Sequence, residues 1–205
     1  MEGQPPAPAG RTNRVTQWLA NLSFSQMGRL VVLVVLIATA AFGGLDTVDK
    51  RITPFKPGEE FSDGEFTLTI ERARLVPELK SGGRTIAAAQ PGRVYLGVVA
   101  TLRNDGTVPG RLRDEFDLRD PTDYEFYGAF RFRDGSAIQD LGPGLTEQLA
   151  FLWLLPDSAR QNVHEVTIRV WKKAFKQLMV TYGGKTWLES VTDYGQTVVP
   201  VKEAS

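Results

Sequence analysis

The chain has 205 residues, with 24 Lys plus Arg against 24 Asp plus Glu, one His and no Cys. The balance of charge leaves no basic field for neutralising phosphates and so argues against nucleic acid as a partner. The missing thiol excludes disulfides, thiolate metal sites, thiol nucleophiles and lipid attachment at an N-terminal Cys, while 42% hydrophobic residues over this length can bury the core of one ordinary domain with an appendage.

Residues 1–26 read as a cytoplasmic tail. Their opening, MEGQPPAPAG, has no periodic apolar face, and Val15, Trp18, Leu19 and Leu22 then recur at the spacing of a short amphipathic helix. From Leu30 to Leu45 the sequence LVVLVVLIATAAFGGL carries no charge. At about 1.5 Å per residue this run covers roughly 24 Å, so a transmembrane signal-anchor recruits flanking residues and occupies 27–47. Arg11, Arg14 and Arg29 precede it with only Glu2 to oppose them, and Asp46 and Asp49 follow. The positive-inside rule then places the N-terminus in the cytoplasm and the rest of the chain outside a single-pass cytoplasmic-membrane segment. A second reading of the same residues is a secretory signal cut after Ala40, because Ala38-Thr39-Ala40 has the small-x-small pattern.

Residues 48–59, with Pro54 and Pro57, read as a stalk, and 60–205 as an extracytoplasmic β domain. Phe66, Leu68 and Ile70 alternate with polar residues, and over 93–104 Val94, Leu96, Val98, Ala100 and Leu102 face one way and Tyr95, Val99, Thr101 and Arg103 the other, which predicts a central strand. Further strands are predicted at 115–118, 124–132, 146–154, 165–171, 176–182 and 197–201, with a helical turn near Trp171 to Phe175. Turn residues separate them, among them Asn104-Asp105-Gly106, Asp134-Gly135 and Gly142-Pro143-Gly144. Short strands at this spacing, without alternating helices, predict an all-β antiparallel sandwich.

The runs VYLGVVATLRNDGTVPGRL, FDLRDPTDYEF, IQDLGPGLTEQLAFLWLLPDSA and VTIRVWKKAF resemble the immunoglobulin-like extracytoplasmic domain of unknown function found in bacterial lipoproteins and membrane-anchored proteins. Asn104 with Gly106, Leu118 with Asp120, Leu141 with Pro143 and Gly144, and Pro156 match its turn and strand positions in order, over roughly residues 60–175. The resemblance implies an immunoglobulin-like fold and an extracytoplasmic compartment, and it implies no catalytic residues. Many members are lipoproteins, from which this chain departs by having no Cys.

No catalytic, cofactor or metal residue is assigned. Only His164 could act as an imidazole base, and no G-x-S-x-G elbow accompanies it. Asp114, Glu115, Asp117, Asp120, Asp123 and Glu125 crowd together but are interleaved with Arg111, Arg113 and Arg119 and lack a calcium-loop pattern, which favours a solvated face. Gly142-Pro143-Gly144 lacks the Lys of a phosphate loop. Trp153 shares parity with Leu149 and Phe151 and reads as core. Trp171 lies on the Arg169 side of its strand, opposite Val166, Ile168 and Val170, and Tyr127 and Arg131 lie in a second aromatic and basic stretch. Trp171, Arg169, Tyr127 and Arg131 are therefore the candidate partner surface. The reading is a non-catalytic binding or accessory module for an envelope complex such as a transporter or secretion system. The alternative is a sandwich that binds a glycan or a divalent cation. An envelope hydrolase would need two carboxyls about 5 to 9.5 Å apart in one cleft.

Overall fold

The computed structural model describes residues 50–177 and 184–203, and Val32 as a single helical position before them. The tail 1–26, the membrane segment 27–47 and the cleavage pair Ala38 and Ala40 otherwise lie outside the described residues. No helix among the described residues is long and apolar enough to cross a membrane.

The strands are β1 (Arg51–Pro54), β2 (Glu60–Ser62), β3 (Phe66–Val76), β4 (Leu79–Ser81), β5 (Arg84–Ala87), β6 (Arg93–Asn104), β7 (Gly110–Arg111), β8 (Asp117–Asp120), β9 (Glu125–Arg131), β10 (Ala137–Ile138), β11 (Asp140–Leu141), β12 (Thr146–Pro156), β13 (Glu165–Gln177) and β14 (Lys185–Glu203). One helical turn, α1 (Ala159–Asn162), connects β12 to β13. The strands run β10-β9-β12-β6-β3-β14-β13-β8, with β1 on β14 and β2 on β3. One layer is β10-β9-β12-β6-β3, the other β14-β13-β8, and β14 joins them by pairing its end, Val201–Glu203, in parallel with Ala73–Leu75.

The inner faces meet in one core. Period-two alternation puts Val94, Leu96, Val98, Ala100 and Leu102 of β6 inside with Leu149, Phe151, Trp153 and Leu155 of β12, facing Val166, Ile168 and Val170 of β13. Phe116 meets Phe151 edge-on across the layers, with ring centroids 4.6 Å apart. The outer face of β6 is apolar as well. Tyr95 packs there with Leu152, Leu154 and Phe130 under the β4–β5 hairpin, whose Leu79 and Ile86 cover them. Burial on both faces explains why β6 and β12 read as nearly continuous apolar runs.

Two points of the sequence resemblance bind each other. Asn104 is fully buried; its Nδ2 donates to the Leu141 carbonyl (2.7 Å) and its Oδ1 accepts from the Gly106 N–H (2.8 Å). The Gly144 N–H donates to the Asn104 carbonyl (2.8 Å), at a φ of +71° that suits glycine.

Two sequence expectations are corrected. Trp171 to Phe175 is strand, because those residues continue the β13 ladder with β14 through a bulge at Lys172 that breaks the alternation. The expected stalk is largely part of the sandwich. Arg51–Pro54 pair in parallel with Asp193–Gln196, and Phe55 is buried against Phe61, with centroids 4.7 Å apart. Pro54 ends a strand here instead of interrupting a linker. Phe55→Ala is expected to lower the unfolding free energy by about 3 to 5 kcal/mol in chemical denaturation. Unchanged stability would return these residues to a stalk.

Candidate functional site

The four residues singled out from the sequence do not come together. Arg169 and Trp171 lie on β13, Tyr127 and Arg131 on β9, and four strands stand between. Trp171 is half-buried, tilted against Tyr194 with centroids 4.8 Å apart, and its Nε1 donates to Asp117 Oδ2 (3.3 Å). Arg169 donates to the same oxygen (2.5 Å) and lies 5.4 Å from the Trp171 ring centroid. This pair is thus occupied within the chain. Arg131 donates to Ser136 Oγ (3.2 Å) and ion-pairs Glu147 (3.5 Å). Tyr127 is 42% exposed, and its bulge position turns it edge-on to Tyr95, with centroids 5.2 Å apart.

Tyr127 opens onto a cleft of about 430 Å³ along the free side of β9. β10 covers only Ala129 and Phe130 of that side, so Glu125–Gly128 have no second ladder partner among the described residues. Arg111 and Arg113 form the basic wall of the cleft and make no ion pair among the described residues, with Asp140 the acidic side chain in the lining. An open strand edge beside two unpaired guanidinium groups can receive an extended acidic segment.

The acidic crowd at 114–125 disperses. Asp117 pairs with Arg169, Glu125 approaches Arg93 (3.8 Å), and Glu115 turns into the interior. His164 is exposed between α1 and β13. Among the described residues no group of three His, Cys, Asp or Glu side chains is placed to hold a metal ion.

Sequence reasoning missed the most constrained polar cluster. The β13 bulge, where Ser190–Asp193 of β14 stand against Lys172 alone, aims Lys173 into the end of the sandwich. Its Nζ meets Asp63 Oδ2 (3.1 Å), Glu65 Oε2 (3.1 Å) and Glu115 Oε2, 4.9 Å from the Phe66 ring centroid. The Lys173 side chain is 7% exposed, and those of Asp63 and Glu115 are 0% exposed. Asp63 and Glu65 sit in the turn between β2 and β3, where Asp63 Oδ1 accepts the N–H groups of Glu65 (2.8 Å) and Phe66 (2.6 Å). Gly64 between them has φ +109°, and a Cβ there would lie 2.3 Å from the Lys173 carbonyl oxygen, so only glycine lets the turn seat against β13. The signals available in the sequence were the Asp63-Gly64 turn dipeptide and a lysine pair interrupting an alternating strand.

Burial is the largest influence on Glu115 and pushes its carboxyl well above the ordinary carboxylate range. Lys173 opposes this, and the charge of Asp63 adds to it. For Lys173 burial alone would favour the neutral amine, but Glu115, Asp63 and Glu65 outweigh it and hold the ammonium above its usual range. Glu65 is raised by burial, with Lys173 pulling the other way. Lys173 and Glu65 form the inner wall of a cleft of about 490 Å³, where Asp114 and Glu189 mix with Arg111 and Lys185 beneath Trp187.

No protein-family model matches the chain, and no match is found among curated proteins. Among solved structures, the chain is similar to an uncharacterised β-sandwich protein of Clostridium difficile 630, with 14% identity and a TM-score of 0.50 over 75% of this chain and 97% of that one. A conserved hypothetical protein of Bacillus anthracis aligns at 13% identity and a TM-score of 0.31, over 54% of this chain and 85% of that one. The first likeness shows the fold, an all-β sandwich.

Two outcomes follow from the cluster. Lys173→Met leaves three carboxyls without their cation and is expected to cost about 3 to 5 kcal/mol in denaturant unfolding. Glu115 holds its proton in the folded domain above the ordinary value of 4.5, so the folded state binds more protons than the unfolded chain. Its stabilising share is complete below that value and is lost as pH rises through the folded one. Thermal stability should therefore fall as pH rises above 4.5, and fall less in Glu115→Gln; equal slopes would contradict the assignment.

Proposed function

We propose that this chain is a membrane-anchored, extracytoplasmic module with an immunoglobulin-like sandwich, which binds an envelope membrane protein and turns over no substrate. The anchor is residues 27–47, with the N-terminus inside and the sandwich outside. The support is the uncharged run Leu30 to Leu45, preceded by three arginines and followed by Asp46 and Asp49. The immunoglobulin-like assignment is supported by the mutual bonding of Asn104 with the Leu141 to Gly144 element.

The observation that carries the binding role is the open edge of β9 beside Arg111 and Arg113. Strand addition supplies backbone hydrogen bonds along Glu125–Gly128, Tyr127 supplies an aromatic contact, and the two arginines select an acidic extended segment of the partner. Attachment to one membrane raises the local concentration of module and partner for each other.

The test is photo-crosslinking in native membranes from position 127 of the full chain, with recovery of the adduct and mapping of the linked segment. A stoichiometric adduct to an acidic extended segment is expected. It should weaken by at least about tenfold in the Arg111→Glu, Arg113→Glu double variant, because like charges juxtaposed across an interface cost several kcal/mol. No stoichiometric adduct, or one indifferent to charge reversal, overturns the proposal.

A further inference from the structure

The end of the sandwich holds an amine and a carboxyl group within reach of each other, with the Asp63 and Glu115 side chains fully buried and Lys173 nearly so at the inner wall of the cleft beneath Trp187. Lys173 Nζ lies 3.1 Å from Asp63 Oδ2, outside hydrogen-bond angles, so that this buried oxygen accepts no hydrogen bond. The other Asp63 oxygen, Oδ1, accepts two backbone N–H groups, from Glu65 (2.8 Å) and Phe66 (2.6 Å). Glu115 touches Nζ through Oε2, while its buried Oε1 has no hydrogen-bond partner among the described residues. The backbones are locked at the same residues, because the Lys173 N–H donates to the Asp63 carbonyl (2.6 Å) over the close approach that Gly64 permits.

We propose that Lys173 and Asp63 condense inside the folded domain to form a side-chain amide, with Glu115 as the catalytic proton-transfer residue. The ammonium first passes one proton to Asp63 Oδ2, which converts the ion pair into a neutral amine and a carboxylic acid. The nitrogen lone pair attacks Cγ, and the negative charge moves onto Oδ1, where the two backbone N–H groups stabilise it as an oxyanion hole does. The carbonyl re-forms as the Cγ–Oδ2 bond breaks; Oδ2 takes the proton of Glu115 and leaves as water. The Glu115 carboxylate then recovers a proton from the amide nitrogen. One ammonium and one carboxylate become one amide and one water, and no oxidant or reductant takes part.

Fixed geometry replaces a bimolecular encounter. Burial keeps Glu115 protonated as a general acid, with Lys173 acting against it. Lys173 is held as an ammonium by its acidic neighbours in spite of burial, so the reactive amine is reached only through the proton transfer to Asp63. Glu65 lies equally near Nζ, but of the carboxyls around the amine only Asp63 has one oxygen gripped by two backbone N–H groups. The product ties the β2–β3 turn to β13 by a covalent bond, in a chain with no Cys for a disulfide.

The experiment is the intact mass of the full chain purified from membranes, measured against the Lys173→Arg variant so that processing at the N-terminus cancels, together with tandem mass spectrometry of a protease digest. The wild type should be lighter than its sequence by one water, and a branched peptide should join Asp63 to Lys173. Glu115→Gln should retain the uncondensed mass. A wild type at full sequence mass overturns the proposal, as does a branch at Glu65 instead of Asp63. The branched peptide is read in the wild type alone, so the test stands even if a variant fails to fold.

Discussion

Three carboxyl groups and one ammonium meet at the end of the sandwich, almost wholly buried, and the seating of the β2–β3 turn depends on how their charges are shared. Each isolated ion would cost several kcal/mol to bury. Lys173 is the cation for Asp63, Glu65 and Glu115 together, so full ionisation would leave the group with an excess of negative charge. Retention of a proton by Glu115 reduces that excess, and the charge of Asp63 pushes in the same direction as burial. The cluster gathers the β2–β3 turn, the chain before β8, and β13, three segments far apart in sequence. A buried ionic group of this kind is weak evidence for net stability but strongly penalises the loss of one member. It therefore specifies which turn seats on which strand more than it adds to the total.

The apolar architecture explains which edges stay open. β6 and β12 are covered on one face by the second layer and on the other by the β4–β5 hairpin, which removes their outer surface from contact. Edge strands invite pairing unless they are short, charged or covered. β8 is short and carries Asp117, Arg119 and Asp120, and β10 is two residues long. β9 has one charged residue, Glu125, and a bulge at Tyr127 along its uncovered stretch, which otherwise consists of Phe126, Tyr127 and a glycine. Such an edge either endangers a domain or serves it, and the arginines beside it provide selectivity that bare hydrophobic exposure would not.

The long inner strands were legible because burial on one face writes a period of two into the residues. The alternation through Val98 and Leu102, and the parity of Trp153 with Phe151, led directly to core positions that are fully buried. Trp171 was placed on the correct side of its strand for the same reason, but its covering by Arg169 and Tyr194 is a long-range contact that no local pattern encodes. β1, β2, β4, β5, β7, β10 and β11 have two to four residues each, too few to show a period. β1 was also masked by Pro54 and by a parallel partnership with residues some 140 positions later. The bulge at Lys172 breaks the alternation between Trp171 and Phe175, so the continuation of β13 through those residues leaves no period of two to read. Lys173 was invisible because its partners are fixed by topology, and Glu115 was grouped with neighbours in sequence that it leaves on folding.

The bulge and the condensation chemistry are linked by one physical fact. A charge pair buried for specificity contributes little net stability because desolvation offsets most of its attraction. That offset vanishes if the pair is consumed, since an amide carries no charge and the departing water is solvated outside. The burial that makes Lys173 costly as an ion sets it beside a protonated acid and a carboxyl held by backbone N–H groups, the arrangement its reaction with Asp63 needs. A disulfide requires an oxidising compartment, whereas loss of water needs only the folded geometry. The Gly64 contact is the structural condition for both roles, because it brings the turn close enough for Asp63 to meet the amine.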